Sequence, residues 1–365
     1  MPIDVDVKKG TRLMTYAEAL REATAICMRE DPSVLVVGEG VPDPKGIFGT
    51  TSGLRKEFGE ERVLDMPLSE NGMTGVLIGM ALEGFRPILV HQRVDFALLA
   101  MDQIVNNAAK WHFMFNGQGS VPLVMRVLIG RGWGQGPKHS QSLQAVFAHV
   151  PGIKVVMPAT PSDAKGLLIA AVEDNNPVIF MEHRWLHGFK DEVPEGRYRV
   201  PLGKARTVQK GSRATLACFS YMTIEALRAA KFLETHGVSV EVVDMRSASP
   251  LDAETLIGSV KKTGHLLVCD TAWKTGGLSA EIIAQAGEQA MGYLKKPPRR
   301  LALDDHPIPT SHFLADACYP EAEQIAKATL ELLGLEKEKA VWDKLPDLRR
   351  KGPLDVPNFD FKGPF

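Results

Sequence analysis

The chain has 365 residues, enough for two domains of ordinary size, and 44% of them are hydrophobic, which is ample material for buried cores. With 43 basic and 44 acidic residues the formal net charge is −1, which argues against a nucleic-acid footprint and against an anionic membrane surface. No apolar run approaches a membrane span, and the opening MPIDVDVKKGTRL has no apolar signal-peptide core, so the expected setting is the cytoplasm. Cys27, Cys218, Cys269 and Cys318 form no CxxC pair and read as reduced core residues.

Taken in chain order, Thr15 and Glu18 have the spacing of a capping box that opens a helix running towards Arg29, with Pro32 as its stop. Val34 to Val37 is a wholly apolar run, as a strand buried on both faces requires. Similar runs fall at residues 87–90, 121–125, 154–157 and 178–181. The stretches between them at 71–82, 96–114 and 161–173 read as helices. From Leu186 to Arg206 the pattern lapses into charges, Pro and Gly, and we read a linker.

A second alternation follows. Strands are expected at 214–219, 238–243, 265–269 and 300–303, and helices at 223–236, 252–261, 279–293 and 321–333. Strand–helix alternation twice over predicts two doubly wound α/β domains, at 13–190 and 205–335, with mainly parallel sheets. Residues 336–365 form a charged, Pro-rich tail with Trp342, Phe359, Phe361 and Phe365, either disordered or laid on a partner.

The segment Asp65-Met66-Pro67-Leu68-Ser69-Glu70-Asn71-Gly72 puts a carboxylate where a loop enters a helix, followed by Gly75 and Gly79. On spacing alone Glu70 reads as a helix N-terminal acid favoured by the macrodipole, and the small residues as a closely packed helix face.

This segment resembles the D-x-P-[IL]-[ST]-E-x-G loop of the β subunits of thiamine-diphosphate-dependent 2-oxoacid dehydrogenases, of the pyruvate and branched-chain type. The resemblance continues through Arg86-Pro87-Ile88, Met101 to Asn106, Lys138-His139-Ser140-Gln141, Pro151 to Val156 and Asp174 to Pro177. Beyond the linker it covers Val243 to Arg246, Pro250-Leu251-Asp252 and Thr275-Gly276-Gly277. It implies a transketolase-like pyrimidine-binding domain followed by a transketolase C-terminal-like domain. In that family the motif Glu, here Glu70, hydrogen-bonds the aminopyrimidine of thiamine diphosphate and thereby activates the cofactor. Phe96 matches the aromatic on the pyrimidine face, and Gln92 a residue that flanks it. His139, after a Gly-rich stretch, matches a His that positions substrate or moves protons in acyl transfer. His149 reads as structural.

The resemblance further implies that Leu123, Ala171, Val172, Asp174 and Asn176 enclose a structural monovalent cation, potassium; the plain alternative is a helix end with a turn. No zinc or redox-metal spacing occurs. The family holds the diphosphate through Mg²⁺ with a GDG segment, and no Gly-Asp-Gly occurs here. The Mg²⁺ ligands are therefore expected on a separate α subunit, in an α2β2 heterotetramer.

Three features depart from the family pattern: Val90-His91-Gln92-Arg93, the cations Arg131 and Lys138 with Trp133 in the Gly-rich loop, and the tail beyond Leu335. Arg93, Arg131 and Lys138 would suit an anionic acceptor if they lined the site, and otherwise read as partner-facing salt bridges. The leading reading is decarboxylation of a 2-oxoacid with acyl transfer to a lipoyl domain of a transacylase component. The alternative is transketolase-like two-carbon transfer to a sugar or other carbonyl acceptor. Intact Glu70, Phe96 and His139 argue against a third reading, a regulatory remnant of the fold.

Overall fold

The computed structural model describes residues 10–131 and 134–357. Two compact units emerge. One comprises residues 10–129 and 146–202; the other comprises 130–131, 134–145 and 203–357. The stretch 130–145, which chain order places inside the first domain, thus groups with the second unit.

The first unit contains β1 (Thr11–Thr15), β2 (Val34–Val37), β3 (Val63–Leu64), β4 (Arg86–His91), β5 (Val124–Ile129), β6 (Lys154–Val156), β7 (Val178–His183) and β8 (Lys190–Pro194). Its sheet runs β6-β7-β5-β4-β2-β3, every neighbouring pair parallel. All residues of β2, β5 and β7 are buried, as strands in the middle of a covered parallel sheet are, and β2 is wholly apolar. The helix Tyr16–Glu30 opens on the predicted box: Thr15 Oγ1 accepts from the Glu18 amide at 3.1 Å, and the Glu18 carboxylate accepts from the Thr15 amide at 2.7 Å. It packs against the helix Pro161–Glu173.

Three expectations differ from the structure. β5 begins and ends later than 121–125, because Arg126 does not break the strand. Its guanidinium is fully buried and meets Glu182 of β7, Nε to Oε1 at 2.5 Å. A paired charge can continue a buried strand that an apolar count would stop. The single helix expected at 96–114 is a succession of short windings, Val94–Ala97, Leu98–Ala100, a π-helical Asp102–Ala108 and Trp111–Met114. Within the expected linker, β8 pairs antiparallel with β1.

The second unit holds β9 (Arg206–Gln209), β10 (Thr215–Cys218), β11 (Glu241–Asp244), β12 (Ser247–Ser249), β13 (Leu266–Trp273) and β14 (Arg299–Leu303). Its sheet order is β14-β13-β10-β11-β9, parallel except for the β9 edge. Leu216, Val242 and Leu267 form its core with the helices Tyr221–Thr235 and Ala322–Leu333. The tail joins that core. Val341, Leu345 and Leu348 are buried in it, and burying such side chains contributes about 1.5–3 kcal/mol each. Residues 336–357 thus bring three buried apolar side chains to the core of the second unit, while Leu354 stays exposed. Phe359, Phe361 and Phe365 lie outside the described residues.

Candidate active site

In a parallel sheet every strand ends on one edge, and loops leaving adjacent strands there converge. β4, β2 and β3 are neighbours. The segments that leave them are Gln92-Arg93, Gly38-Glu39-Gly40 and Asp65 to Ser69. Glu70 is the first residue of the helix Glu70–Leu82 and only 7% exposed. The Gly40 amide donates to Asp65 Oδ1 at 3.0 Å, and Gln92 Nε2 donates to the Glu39 carbonyl at 2.9 Å. Burial, and then the charges of Glu70 and Asp65, hold the Glu39 carboxyl above its usual range. Three acids thus meet at one sheet edge. Glu39 was not singled out from the sequence, although its place in the Gly-Glu-Gly turn after β2 is the signal that finds it.

The helix led by Glu70 is packed closely at two of its three glycines, since a Cβ on Gly72 would lie 2.9 Å from Ser69 Oγ. A Cβ on Gly75 would lie 3.3 Å from Gln103 Oε1, whereas one on Gly79 would meet nothing within 4 Å. Phe96 is partly buried in the helix Val94–Ala97. Arg93 precedes that helix, is 3% exposed, and lies with its guanidinium 6.0 Å from the Phe48 ring centre. It is interior to the first unit rather than displayed at a mouth.

His139 ends the short helix Gly136–His139 of the second unit and is partly buried; Lys138 beside it is exposed. The loop that carries them starts at Arg131, which is 2% exposed. Its Nε reaches Asp355 at 3.0 Å, Nη1 reaches Glu321 at 3.1 Å and Nη2 reaches Asp316 at 2.9 Å. The guanidinium also lies 4.2 Å from the Tyr319 ring centre. The charge of Arg131 is thus matched by carboxylates inside the second unit. Trp133 and Gly132 lie outside the described residues.

The five residues of the expected cation site gather at the end of the helix Pro161–Glu173. The Asn176 amide donates to Asp174 Oδ1 at 2.9 Å, and the Asp174 amide to the Ala171 carbonyl at 3.3 Å. Arg86 Nη1 donates to the carbonyls of Val172 at 2.9 Å and Asp174 at 3.2 Å. Lys154 pairs with the Asp174 carboxylate, and the Leu123 carbonyl accepts from the Val178 amide at 3.0 Å. Two cationic side chains, Arg86 and Lys154, thus serve the oxygens of Val172 and Asp174, while the Leu123 and Ala171 carbonyls accept from backbone amides. Among the described residues no cluster of His, Cys, Asp and Glu could hold a metal ion, and no helix is long and apolar enough to cross a membrane.

Comparison with known proteins agrees with this architecture. Residues 12–188 match the transketolase pyrimidine binding domain and residues 203–325 the transketolase C-terminal domain. A solved structure described as a split gene transketolase, inactive beta4 tetramer, shares the fold with a TM-score of 0.73 at 23% identity, over 88% of this chain and 99% of that one. The molecule is therefore a two-domain transketolase-like α/β protein. The β subunit of acetoin:2,6-dichlorophenolindophenol oxidoreductase from Cupriavidus necator is 42% identical over 327 residues, 87% of this chain and 96% of its own. The β subunit of the pyruvate dehydrogenase E1 component from Bacillus subtilis is 42% identical over 299 residues, 82% and 92% respectively. The chain belongs to the family of β subunits of thiamine-diphosphate-dependent 2-oxoacid dehydrogenases.

Proposed function

We propose that this chain works with a separate α subunit to decarboxylate a 2-oxoacid and transfer the acyl group to a lipoyl domain. The observation that carries this is Glu70, a buried acid heading a helix beside two further carboxylates. Such a cluster fits a heterocycle that brings hydrogen-bond donors to it. Bound thiamine diphosphate would supply the electron sink for decarboxylation. Glu70 would hold the aminopyrimidine and share a proton with it, shielded from water by its burial. Phe96 would pack on the ring and Gln92, fixed by its bond to the Glu39 carbonyl, would flank it. His139 would orient substrate and move a proton in acyl transfer.

The chain contains no Gly-Asp-Gly, which supports placing the Mg²⁺ and diphosphate ligands on the α subunit, in an α2β2 heterotetramer. The names of its relatives as β subunits point the same way. Sugar-type transfer loses part of its support, since Arg93 and Arg131, two of the three cations that suggested an anionic acceptor, are buried.

The test is reconstitution. The isolated chain should show no tight Mg²⁺-dependent binding of thiamine diphosphate by calorimetry, and the α–β complex should. The complex should then acylate a free lipoyl domain, read by mass spectrometry. Micromolar binding by the isolated chain would refute the split site, and transfer only to sugar phosphates would refute the lipoyl reading.

A further inference from the structure

The tail is bound to the loop that carries His139 by a cluster of charges within the second unit. Arg131 opens that loop, and Asp355, at the far end of the chain, reaches it at two points. One carboxylate oxygen accepts from Arg131 Nε at 3.0 Å; the other accepts from the Gly134 amide at 3.3 Å. Arg350, also from the tail, shares Asp316 at 2.7 Å and Glu321 at 2.6 Å with Arg131. The Asp355 amide closes the cluster by donating to Asp316 Oδ1 at 3.0 Å. Two guanidiniums are thus matched by three carboxylates, with Arg131 2% and Asp355 2% exposed.

Two features suit a bracing role for this cluster. The loop is soft by sequence: Gly134 and Gly136 adopt φ of +67° and +65°, conformations that other residues rarely take. An external tie would narrow the geometries open to it. Asp355 itself sits at φ +55° while buried, a strained position for a residue with a Cβ. The strain is tolerated where the carboxylate spans both partners.

We infer that residues 336–357 are a strap that positions the His139 loop, with Asp355 and Arg131 as positioning residues. The catalytic part of this inference rests on the role proposed above for His139. The structural part does not.

Asp355→Asn is the discriminating variant, because Asn tolerates the left-handed backbone and keeps the size while losing the charge. It is made in the full-length chain and assayed as the α–β complex with thiamine diphosphate and Mg²⁺. Hydrogen exchange should rise at least about fivefold at residues 134–141 and stay unchanged in β13. In the same complex kcat for acyl transfer should fall about tenfold with little change in the 2-oxoacid KM, and Asp355→Glu should restore part of it. In a His139→Ala background the same change should cost less than about twofold. Unchanged exchange at 134–141 overturns the strap, whatever His139 does. Raised exchange with an undiminished tenfold loss in the His139→Ala background overturns the link to His139. If His139→Ala alone keeps wild-type kcat, the proposed role of His139 fails, and exchange still decides the strap.

Discussion

Two groups of three acids stand in this chain, one in each unit, and their environments differ. Glu39, Asp65 and Glu70 meet at the sheet edge of the first unit, and burial with mutual repulsion keeps the Glu39 carboxyl above its usual range. Asp316, Glu321 and Asp355 meet in the second unit around Arg131 and Arg350. Burial pushes the Asp316 carboxyl up, but the Asp355 amide, Arg350 and Arg131 outweigh it and hold it low. Equal numbers of carboxylates thus have opposite meanings. Acids that the chain matches with its own cations stabilise the fold. Acids set against one another are costly to keep, and that cost makes sense where a ligand later shares the proton.

The contrast is broken most sharply by removing one acid from the first group. Glu70→Gln preserves shape and burial, so folding and assembly with the α subunit should survive. Steady-state decarboxylation should fall by two to four orders of magnitude, about 3–5 kcal/mol. Near wild-type turnover in the reconstituted variant would show that Glu70 is not the activating acid. In the second group the large effect belongs to stability. Arg131→Met leaves three buried or half-buried carboxylates with Arg350 alone and should destabilise the second unit by about 3 kcal/mol in denaturant unfolding. A midpoint that does not move would mean that the cluster is solvated after all.

The sequence reveals the two groups unequally, for physical reasons. The central strands and the long helices of both units are readable because continuous apolar runs and a capping box have short periods, whereas the short strands β1, β3, β8, β9 and β12 carry no such run. Glu70 is readable because its loop follows a family pattern. The group around Arg131 joins residues 131, 316, 321, 350 and 355, and no local period links positions so far apart. A cation in a Gly-rich loop therefore reads equally as an acceptor contact or a partner-facing salt bridge until its partners are seen. Arg126 hides in the same way: its partner Glu182 lies on a neighbouring strand, so β5 reads as ending too soon. The tail reads as either disordered or laid on a partner because charges dominate its composition and its aromatics are scattered, although three of its apolar side chains are buried in the core of the second unit.

Acid should sharpen the comparison further, since the first unit also buries neutral histidines near its sheet edge. Burial holds His91, at the end of β4, down to about 4. His187 is held at about 4 by burial, against an opposing hydrogen bond to Glu182. Both titrate near 6.5 when unfolded. Below that pH the unfolded chain takes up protons that the folded chain refuses. Stability is therefore full above pH 6.5 and is lost as pH falls towards 4, by at most about 3 kcal/mol per histidine. Hydrogen exchange at pH 7 and 5 should show β4 and β7 losing protection while β10 and β13 keep theirs. His91→Leu should flatten part of that loss, and equal losses in both units would refute the assignment.

The smallest effect has the opposite sign. Glu39 has a folded pKa above its ordinary 4.5, so the fold disfavours its charged form. The stability linked to it is complete below 4.5 and is lost as pH rises through the folded value. Glu39→Gln should therefore stabilise the first unit at pH 7 and make no difference near pH 4. Much of Glu39 remains in contact with solvent, which screens the repulsion, so a few tenths of a kcal/mol are expected. The measurement is the difference in thermal midpoint between variant and wild type across pH 4 to 7. A difference that grows with pH places Glu39 among mutually repelling acids. One that shrinks with pH means that a cation reaches Glu39, and the contrast between the two acid groups then fails at its first member.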